Sequence, residues 1–320
     1  MKTGQNDAIV GATGFVGQNL RNSHRFSGQF NSRNVAELTG KEYRIVVCAA
    51  APATMWAANK DPDGDLANIR RLIAHLEGVR AQHFVLVSTI AVLANAAAGL
   101  DEETMQFETA KAYGRNRRFL EEAVANLFPS SHILRLPALF GAGLKKNFLF
   151  DILNPVPSFL TADKFATLAE SLPAAASEAL KQAYSFNGDL GMHQVDRTRL
   201  AGEPGAVLTR GLEDAGFTAL NFTNADSTYQ YYGLARLWDD IGRTIAHDLR
   251  VMHLAPEPIA AGALYQSLTG RVLEARAAPL YNEDMRTRHA ALWDGPDGYI
   301  QGRAQVLADL RAFYDEARRA

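Results

Sequence analysis

GATGFVG, at residues 11–17, places three glycines between an apolar run, DAIV at residues 7–10, and a segment with the pattern of a helix. Gly11, Gly14 and Gly17 carry no side chain, so the backbone can approach a pyrophosphate closely while the helix N-terminus stabilises its charge. Three glycines alone are weak evidence. Because they follow a predicted strand and open a predicted helix, they favour dinucleotide binding over the alternative, a tight turn without a ligand.

Two kinds of pattern alternate through the first half of the chain. Continuous apolar runs predict strands, and amphipathic stretches with one apolar stripe predict helices. The predicted strands are 28–31, 44–50, 83–92 and 132–141, and the predicted helices are 65–79 and 105–127. This alternation predicts an α/β protein built on a Rossmann-type doubly wound parallel sheet.

The alternation stops after Gly141. Residues 143–218 contain short amphipathic stretches interrupted by proline and glycine, and TALNF at 218–222 has the pattern of a returning strand. A second domain is therefore expected. We predict a dinucleotide-binding domain formed by 1–142 plus about 219–255, and a smaller, mainly helical substrate domain formed by 143–218 plus 256–320.

Composition narrows the possible partners. The formal charge of −2 provides no basic field, so neither nucleic acid nor an anionic membrane is an expected partner. The single cysteine, Cys48, excludes an intrachain disulfide and a multi-cysteine metal site. No two of the eight histidines have ligand spacing on one helix, so no metal is expected. The chain has no membrane-spanning apolar run and no leader pattern, which predicts a cytoplasmic protein.

The segment after the second predicted strand bears on the choice of nicotinamide cofactor. An acid at this place binds the ribose 2′-hydroxyl of NAD, and a base binds the 2′-phosphate of NADP. QFNSRN, at residues 29–34, has no acid and offers Ser32 and Arg33. The pattern favours NADP over NAD, with an ordinary surface arginine in a loop as the alternative.

AYGRNRRFLEEA, at residues 112–123, places Tyr113, Arg117 and Glu121 four residues apart, in one row on a helix. The row has two interpretations: a proton-transfer site, or an exposed helix face with an ordinary Arg–Glu pair. A phenol titrates near 10, and a positive charge within about 4–6 Å brings its pKa closer to neutral pH. Thr89, near the end of the predicted strand 83–92, and the glycine turn favour the proton-transfer site.

Together these motifs resemble the extended short-chain dehydrogenase/reductase family. The resemblance is carried by GATGFVG (11–17), VVCAAAP (46–52), Asn68 in DLANIRRL (65–72), LVSTIAV (86–92), YGRNRRFLE (113–121) and RLPALFG (135–141), and more weakly by YYGLARLWDDI (231–241) and LAPEPI (254–259). It implies hydride transfer between NAD(P) and a carbon that bears an oxygen, usually on a nucleotide-linked sugar.

The resemblance also implies roles for single residues. Thr89 would bind the reacting oxygen, with Ser88 beside it, and Tyr113 would transfer the proton. Arg117 stands where the family has a lysine; its charge is permanent, but its fork is bulkier than an ammonium. The positions expected to bind the cofactor are Gly11, Thr13, Gly14, Phe15, Val16, Gly17, Ser32, Arg33, Ala49, Ala50, Ala51, Arg117 and Pro137.

The substrate side is less defined. Members of the family that dehydrate sugars resemble one another in an acidic pair after the catalytic hydroxyl, and here Ile90 and Ala91 follow Thr89. Dehydration is therefore disfavoured, while reduction and epimerisation both stay open. GAGLKKNFLFDIL, at residues 141–153, is similar to a substrate-binding stretch of the family's deoxysugar-nucleotide reductases. The substrate candidates are Ser88, Thr89, Lys145, Asn147 and Arg286, followed by Lys146 and Arg288.

Two functions remain to be compared. The leading hypothesis is an NADP- or NAD-dependent oxidoreductase or epimerase of a nucleotide-linked sugar. The alternative is a protein that binds or senses the cofactor without turnover, in which Arg117 marks a lost catalytic centre. The family resemblance further implies a homodimer that pairs helices 65–79 and 105–127 with their copies.

Overall fold

A computed structural model describes residues 6–319 of the chain. The chain forms two compact units. Unit 1 contains the chain up to Leu144, Thr228–Ile259 and Asn282–Phe313. Unit 2 contains Lys145–Ser227, Ala260–Tyr281 and the described residues from Tyr314 onwards. The expected second domain included all of 256–320, whereas Asn282–Phe313 belong to unit 1.

The strands and helices follow one another along the chain. The strands are β1 (Asp7–Val10), β2 (Gly28–Phe30), β3 (Glu42–Cys48), β4 (Arg80–Thr89), β5 (Ser131–Leu136), β6 (Ala138–Phe140), β7 (Phe159–Leu160), β8 (Tyr184–Asn187), β9 (Met192–Val195), β10 (Thr228–Tyr229), β11 (Tyr231–Gly233), β12 (Val251–His253) and β13 (Ile259–Ala260). The α-helices are α1 (Phe15–Ser23), α2 (Met55–Lys60), α3 (Pro62–Leu76), α4 (Ala112–Leu127), α5 (Phe148–Leu153), α6 (Ala162–Ser171), α7 (Ala174–Ala183), α8 (Glu203–Asp214), α9 (Leu237–Ala246), α10 (Ala261–Thr269) and α11 (Arg303–Ala317). Short 3-10 helices occur at Val35–Leu38, Ile90–Val92, Arg197–Leu200, Ala219–Phe222, Leu234–Arg236 and Ala290–Trp293.

A parallel sheet forms the centre of unit 1. Among the described residues, six strands lie in the order β12-β5-β4-β3-β1-β2, and all neighbouring pairs are parallel. The strand order reverses between β1 and β3, so the carboxyl ends of these two strands border a crevice where ligands bind in open α/β sheets. The predicted doubly wound sheet is confirmed.

Both faces of this sheet are covered. Val46 and Cys48 of β3 pack on the side of α3 and α4, together with Ile69 and Leu120. The alternate residue Val47 packs on the other side, in the cluster that includes residues of α1 and α9. Because successive side chains of a strand point to opposite faces, double coverage explains why β3 is apolar without interruption from Ile45 to Cys48.

Three sequence predictions of local structure need correction. The strand predicted at 132–141 is divided at Pro137, which has no N–H to donate, and its second part, β6, pairs with β11. The helix predicted from residue 105 starts at Ala112, because the Glu108 carboxylate accepts hydrogen bonds from the N–H groups of Ala110 and Lys111 and ends the preceding loop there. TALNF was expected to be a strand, but it forms a 3-10 helix stabilised by a capping box at its start.

Unit 2 has its own core. Helices α6, α7 and α8 pack around a cluster of apolar side chains with Leu168, Leu180 and Leu208 at its centre. A three-stranded antiparallel sheet in the order β7-β9-β8 contributes Leu160 and Tyr184 to the same cluster. In the part of the chain that the structure describes, no helix is both long enough and apolar enough to cross a membrane.

Candidate active site

The glycine turn lies at the carboxyl end of β1, beside the start of the segment after β3. Gly11 has φ +92°, and a Cβ on it would lie 2.5 Å from the carbonyl oxygen of Ala49. A Cβ on Gly17 would lie 2.1 Å from the carbonyl oxygen of Gly11. These two glycines are therefore required for the turn itself, whether or not a ligand binds.

Gly14 is different from the other two glycines. It has an ordinary extended backbone, with φ −74° and ψ 168°, and the nearest atom to an added Cβ would be the Gly11 carbonyl oxygen at 3.4 Å. A side chain would fit there without a clash. Gly14 is also the N-cap of α1, and no side chain caps this helix or places an acid in its first turn. Open backbone N–H groups at a helix N-terminus, next to a position with no side chain, fit a bound pyrophosphate.

The loop after β2 presents the two residues expected to select the cofactor. Ser32 and Arg33 are both exposed. Two asparagines fix the loop: the Asn34 side chain accepts a hydrogen bond from the Asn31 N–H at 2.8 Å, and the Asn31 side chain accepts one from the Arg33 N–H at 2.9 Å. The loop backbone is thus ordered while the guanidinium of Arg33 extends into solvent.

Thr89 and Tyr113 come together as the sequence predicts. Thr89 is the last residue of β4, and its hydroxyl oxygen accepts a hydrogen bond from the Ala91 N–H at 3.2 Å. Tyr113 lies in the first turn of α4, where its N–H donates to the side-chain oxygen of Asn59 at 2.9 Å. Burial raises the pKa of the Tyr113 phenol, while the charge of Arg117 and a hydrogen bond from the Thr89 side chain lower it without offsetting the burial.

Arg117 is enclosed by protein groups. Its side chain is only 3% exposed, and its guanidinium carbon lies 4.0 Å from the centre of the Tyr113 ring. Nη1 donates to the carboxylate of Asp65 at 2.5 Å, and Nη2 donates to the carbonyl oxygen of Pro52. Its Nε is buried and has no hydrogen-bond partner among the described residues.

The burial of this row excludes one of its two sequence interpretations, the exposed helix face, while the proton-transfer role stays a prediction. Arg117 and Glu121 are 3% and 0% exposed, so the row is not an exposed charged helix face. The two side chains also do not pair with each other. Glu121 instead binds Arg135 of β5 in a bidentate pair, with distances of 3.0 and 2.7 Å.

The Ser88 hydroxyl is bound by a different residue of α4. It donates a hydrogen bond of 2.5 Å to Glu121, on the buried side of α4. Arg135 completes this network, because its Nη1 lies 3.1 Å from Nε2 of His253. Nδ1 of His253 lies 2.8 Å from the backbone carbonyl oxygen of Arg286. A carbonyl only accepts, so Nδ1 of His253 carries the proton and Nε2 accepts from Arg135. Burial also lowers the pKa of His253, in agreement with a neutral ring.

The remaining expected residues have separate surroundings. Ala49, Ala50 and Ala51 follow β3 and are partly exposed at the edge of the crevice, whereas Pro137 is buried. Thr13 of the glycine turn is exposed, and Phe15 and Val16 begin α1.

The substrate candidates are distributed over both units. In unit 2, Lys145 is exposed, and Asn147 caps α5 by accepting from the Phe150 N–H at 3.1 Å, with φ +99°. In unit 1, the Arg286 guanidinium is held by Asp284 at 3.2 and 3.0 Å. Arg288 is paired with Glu103.

Sequence reasoning did not identify Asp65, Asn116, Asn59 or Pro52 as part of this site. Asp65 had a detectable signal, because it lies four residues before Ile69 and extends the apolar stripe of α3. An acid on a stripe that faces the core indicates a buried partner. Asn68, which carried part of the family resemblance, is instead exposed and accepts from Arg71 at 3.4 Å.

Solved structures with the same fold cover the whole length of the chain. A dTDP-4-dehydrorhamnose reductase from Clostridium acetobutylicum aligns with a TM-score of 0.61 and 14% identity, over 98% of this chain and 100% of its own. A dTDP-4-dehydrorhamnose reductase from Bacillus anthracis, solved in complex with NADP, aligns with a TM-score of 0.62 and 14% identity over 99% of both chains.

A third similar structure is an epimerase. The UDP-N-acetylglucosamine 4-epimerase from Methanobrevibacter ruminantium, in complex with UDP-N-acetylmuramic acid, aligns with a TM-score of 0.61 and 12% identity over 97% of both chains. No family model and no curated protein matches the sequence. The likeness is therefore one of fold, and the chain has the fold that the family resemblance predicts.

Proposed function

We propose that this protein is an NAD(P)-dependent enzyme of the extended short-chain dehydrogenase/reductase type that reduces or epimerises a nucleotide-linked sugar. The observation that carries the proposal is the group formed by Tyr113, Thr89 and Arg117 in unit 1. A phenol, a hydroxyl and a fixed cation meet at the carboxyl edge of the parallel sheet that also holds the glycine turn. Catalytic groups with perturbed pKa values at this edge are typical of active sites.

The glycine turn and the loop after β2 are the elements that would hold the cofactor. The N–H groups of Thr13 and of the start of α1 would bind its pyrophosphate, whereas the Gly14 N–H already donates to the Gly11 carbonyl at 3.0 Å. Ser32 and Arg33 would bind the 2′-phosphate of NADP. Ala49, Ala50 and Ala51 would border the cofactor on the β3 side of the crevice. When bound, the nicotinamide supplies or accepts the hydride.

The residues of the chain would manage the proton. Thr89 would hydrogen-bond the reacting oxygen of the sugar, and the Tyr113 hydroxyl would donate its proton to that oxygen during reduction. Because burial raises its pKa, the phenol is protonated at neutral pH and ready to donate. The fixed charge of Arg117, against the ring face, stabilises the phenolate that remains after transfer.

The substrate class is proposed from the similar structures. Two of them are reductases and one is an epimerase, and their names refer to dTDP- or UDP-linked sugars. Lys145, Asn147 and Arg286 remain candidates for contacts with the nucleotide or the sugar. Ile90 is buried and apolar directly after Thr89, which disfavours dehydration because this position has no base to remove a second proton.

The test is a turnover assay with a panel of dTDP- and UDP-linked keto sugars and sugars, monitored by NADPH fluorescence and by product analysis. We expect turnover with at least one compound and its loss in Tyr113→Phe. Tyr43→Phe is the matched control, because Tyr43 lies near the amino end of β3, whereas Thr89 and Tyr113 lie at the carboxyl ends of the strands. Cofactor binding without turnover for the whole panel would instead favour the non-catalytic alternative.

The homodimer also remains part of the proposal. It would pair α3 and α4 with their copies, and it rests on the family resemblance alone. Sedimentation equilibrium tests it, because a monomer at all concentrations would contradict it.

A further inference from the structure

The Asp65 carboxylate is the main anchor of Arg117. It is 6% exposed, lies in the first turns of α3, and accepts from Arg117 Nη1 at 2.5 Å. The same oxygen accepts from the Asn116 side chain at 2.8 Å, so the carboxylate is itself fixed. With Pro52 holding Nη2, both terminal nitrogens of the guanidinium are engaged by protein acceptors.

We propose that Asp65 is a positioning residue that holds the Arg117 guanidinium against the ring of Tyr113, so that this cation acts on the tyrosine rather than on the hydroxyls of a cofactor ribose. The inference deepens the proposed function and rests on it, because it assumes that Tyr113 is the proton-transfer residue.

The geometry explains why an arginine occupies position 117. A planar fork can donate to two acceptors and still present its flat face to an aromatic ring, which a lysine ammonium does not do. Asp65 and Pro52 are the two acceptors, and the guanidinium carbon is 4.0 Å from the centre of the Tyr113 ring. The cation is thus held at the ring face while its Nη atoms are committed to the protein.

Asp65 affects the tyrosine by two routes with opposite signs. Its negative charge by itself raises the pKa of Tyr113, whereas the charge of Arg117 lowers it. If Asp65 acts only through its own charge, removing that charge lowers the pKa of Tyr113. If Asp65 holds Arg117 in place, removing it releases the guanidinium from the ring, and the pKa of Tyr113 rises.

The decisive experiment is an NMR titration of the cofactor-free protein labelled with ζ-13C tyrosine. Tyr113→Phe identifies the Tyr113 signal by its disappearance. In Asp65→Asn we expect the pKa of Tyr113 to be higher than in the wild type. An unchanged or lower pKa would overturn the proposal. The control is Asp63→Asn, which removes the same charge from an exposed residue of the same helix turn and should leave the Tyr113 titration as in the wild type.

A second variant covers the case in which Asp65→Asn does not fold or Tyr113 titrates only beyond the stable range. Asp65→Glu keeps a carboxylate to neutralise the buried charge of Arg117, but it moves that carboxylate by one methylene. A crystal structure of this variant should show the guanidinium displaced from the Tyr113 ring, and an unchanged stack would contradict a positioning role.

These readouts need no substrate, so they fail or succeed separately from the proposed function. Absence of turnover in the wild type would refute the enzymatic proposal, while the titration would still show whether Asp65 holds Arg117 against the Tyr113 ring. If the wild type turns over substrate but the pKa of Tyr113 is the same in Asp65→Asn as in the wild type, the positioning role alone is refuted.

Discussion

At the scale of single residues, several effects act on the pKa of Tyr113 in opposite directions. Burial raises its pKa, and the nearby cation and the Thr89 hydroxyl lower it, but burial has the largest effect. The phenol is therefore better suited to donate a proton than to remove one in the cofactor-free protein. A reduction begins with that donation, whereas the oxidising half of an epimerisation needs the phenolate first. The two reactions that the sequence left open therefore need different protonation states of Tyr113 at their first step.

Arg33 is the residue on which cofactor choice should depend. Its guanidinium is exposed in a loop whose backbone is fixed by Asn31 and Asn34. A charge-assisted contact with a phosphate contributes about 1.5–3 kcal/mol, which corresponds to roughly tenfold to a hundredfold in affinity. We expect Arg33→Ala to weaken NADPH binding by about that factor and to change NADH binding little, as measured by calorimetry.

The control for this prediction is Arg25→Ala, which removes an exposed arginine from the connection between α1 and β2. If Arg33→Ala and Arg25→Ala weaken NADPH binding equally, the effect is general electrostatics and the assigned role of Arg33 is incorrect.

At the scale of elements, the start of α4 must lie very close to the end of β4. A Cβ on Gly114 would be 2.0 Å from the carbonyl oxygen of Ala91, two residues after Thr89. The glycine next to Tyr113 thus allows the approach that brings the Thr89 and Tyr113 hydroxyls together. We expect Gly114→Ala to separate them and to reduce kcat by about 100-fold, since misplacement by about 1 Å can have that effect.

Gly242→Ala is the matched control for the change in α4. Gly242 is an exposed helical glycine of α9, with no atom within 4 Å of an added Cβ. The substitution should stabilise the protein by about 0.5–1 kcal/mol in urea unfolding, with turnover unchanged. Equal kcat values for Gly114→Ala and the wild type would show that this close approach does not position the site.

Helix α5 contains an aspartate whose pKa is strongly raised. Burial raises the pKa of Asp151 to about 7, although the charge of Arg197 opposes the shift. Since an unfolded aspartate titrates near 4, the neutral form stabilises the fold fully below about pH 4, and this contribution is lost as the pH rises to about 7. Asp151→Asn should therefore be more stable than the wild type near pH 8 and similar to it near pH 4, as thermal unfolding would measure.

Asp163→Asn provides the comparison for α5, because Asp163 is an exposed acid in the first turn of α6. It should show no such difference between the two pH values. A stability difference between Asp151→Asn and the wild type that is the same at both pH values would rule out the titration of Asp151 as the cause.

At the scale of the whole molecule, the sequence predicts what is local or periodic and misses what depends on distant contacts. The parallel sheet is predictable because apolar runs alternate with amphipathic helices along the chain. The Thr89 and Tyr113 pairing is predictable because strand ends and the following helix meet at one edge. The partner of Arg117 is not, because Asp65 lies 52 positions earlier and meets it only when α3 and α4 pack.

The extent of unit 1 shows the same limit. Residues Asn282–Phe313 belong to it, yet their sequence lacks the strand and helix alternation that identifies the rest of the unit. Their place depends on contacts with earlier segments, such as the backbone hydrogen bonds from the Asp284 N–H to the Ala96 carbonyl and from the Arg286 N–H to the Leu100 carbonyl. Irregular segments held by such bonds carry no periodic signal.

Ligand binding should appear in the stability of the entire fold. A ligand that binds only the native state adds about 2.7 kcal/mol when its concentration is about 100 times Kd. Gly14→Ala should melt like the wild type without ligand, because the added Cβ has space, but NADP should stabilise it less. Gly17→Ala should have a free energy of unfolding about 1–3 kcal/mol lower than that of the wild type without ligand, because the added Cβ would clash with the Gly11 carbonyl. Equal stabilisation of Gly14→Ala and the wild type by NADP would place the pyrophosphate elsewhere.

The most direct test of the central claim is to follow the hydride and the proton donor together. NADPH carrying deuterium at both positions of nicotinamide C4 is incubated with the nucleotide-linked keto sugar that gives turnover, and the product is analysed by mass spectrometry. The account predicts one deuterium in the product with the wild type and with Tyr43→Phe, and none with Tyr113→Phe. Deuterium transfer that continues at the wild-type rate in Tyr113→Phe would contradict it.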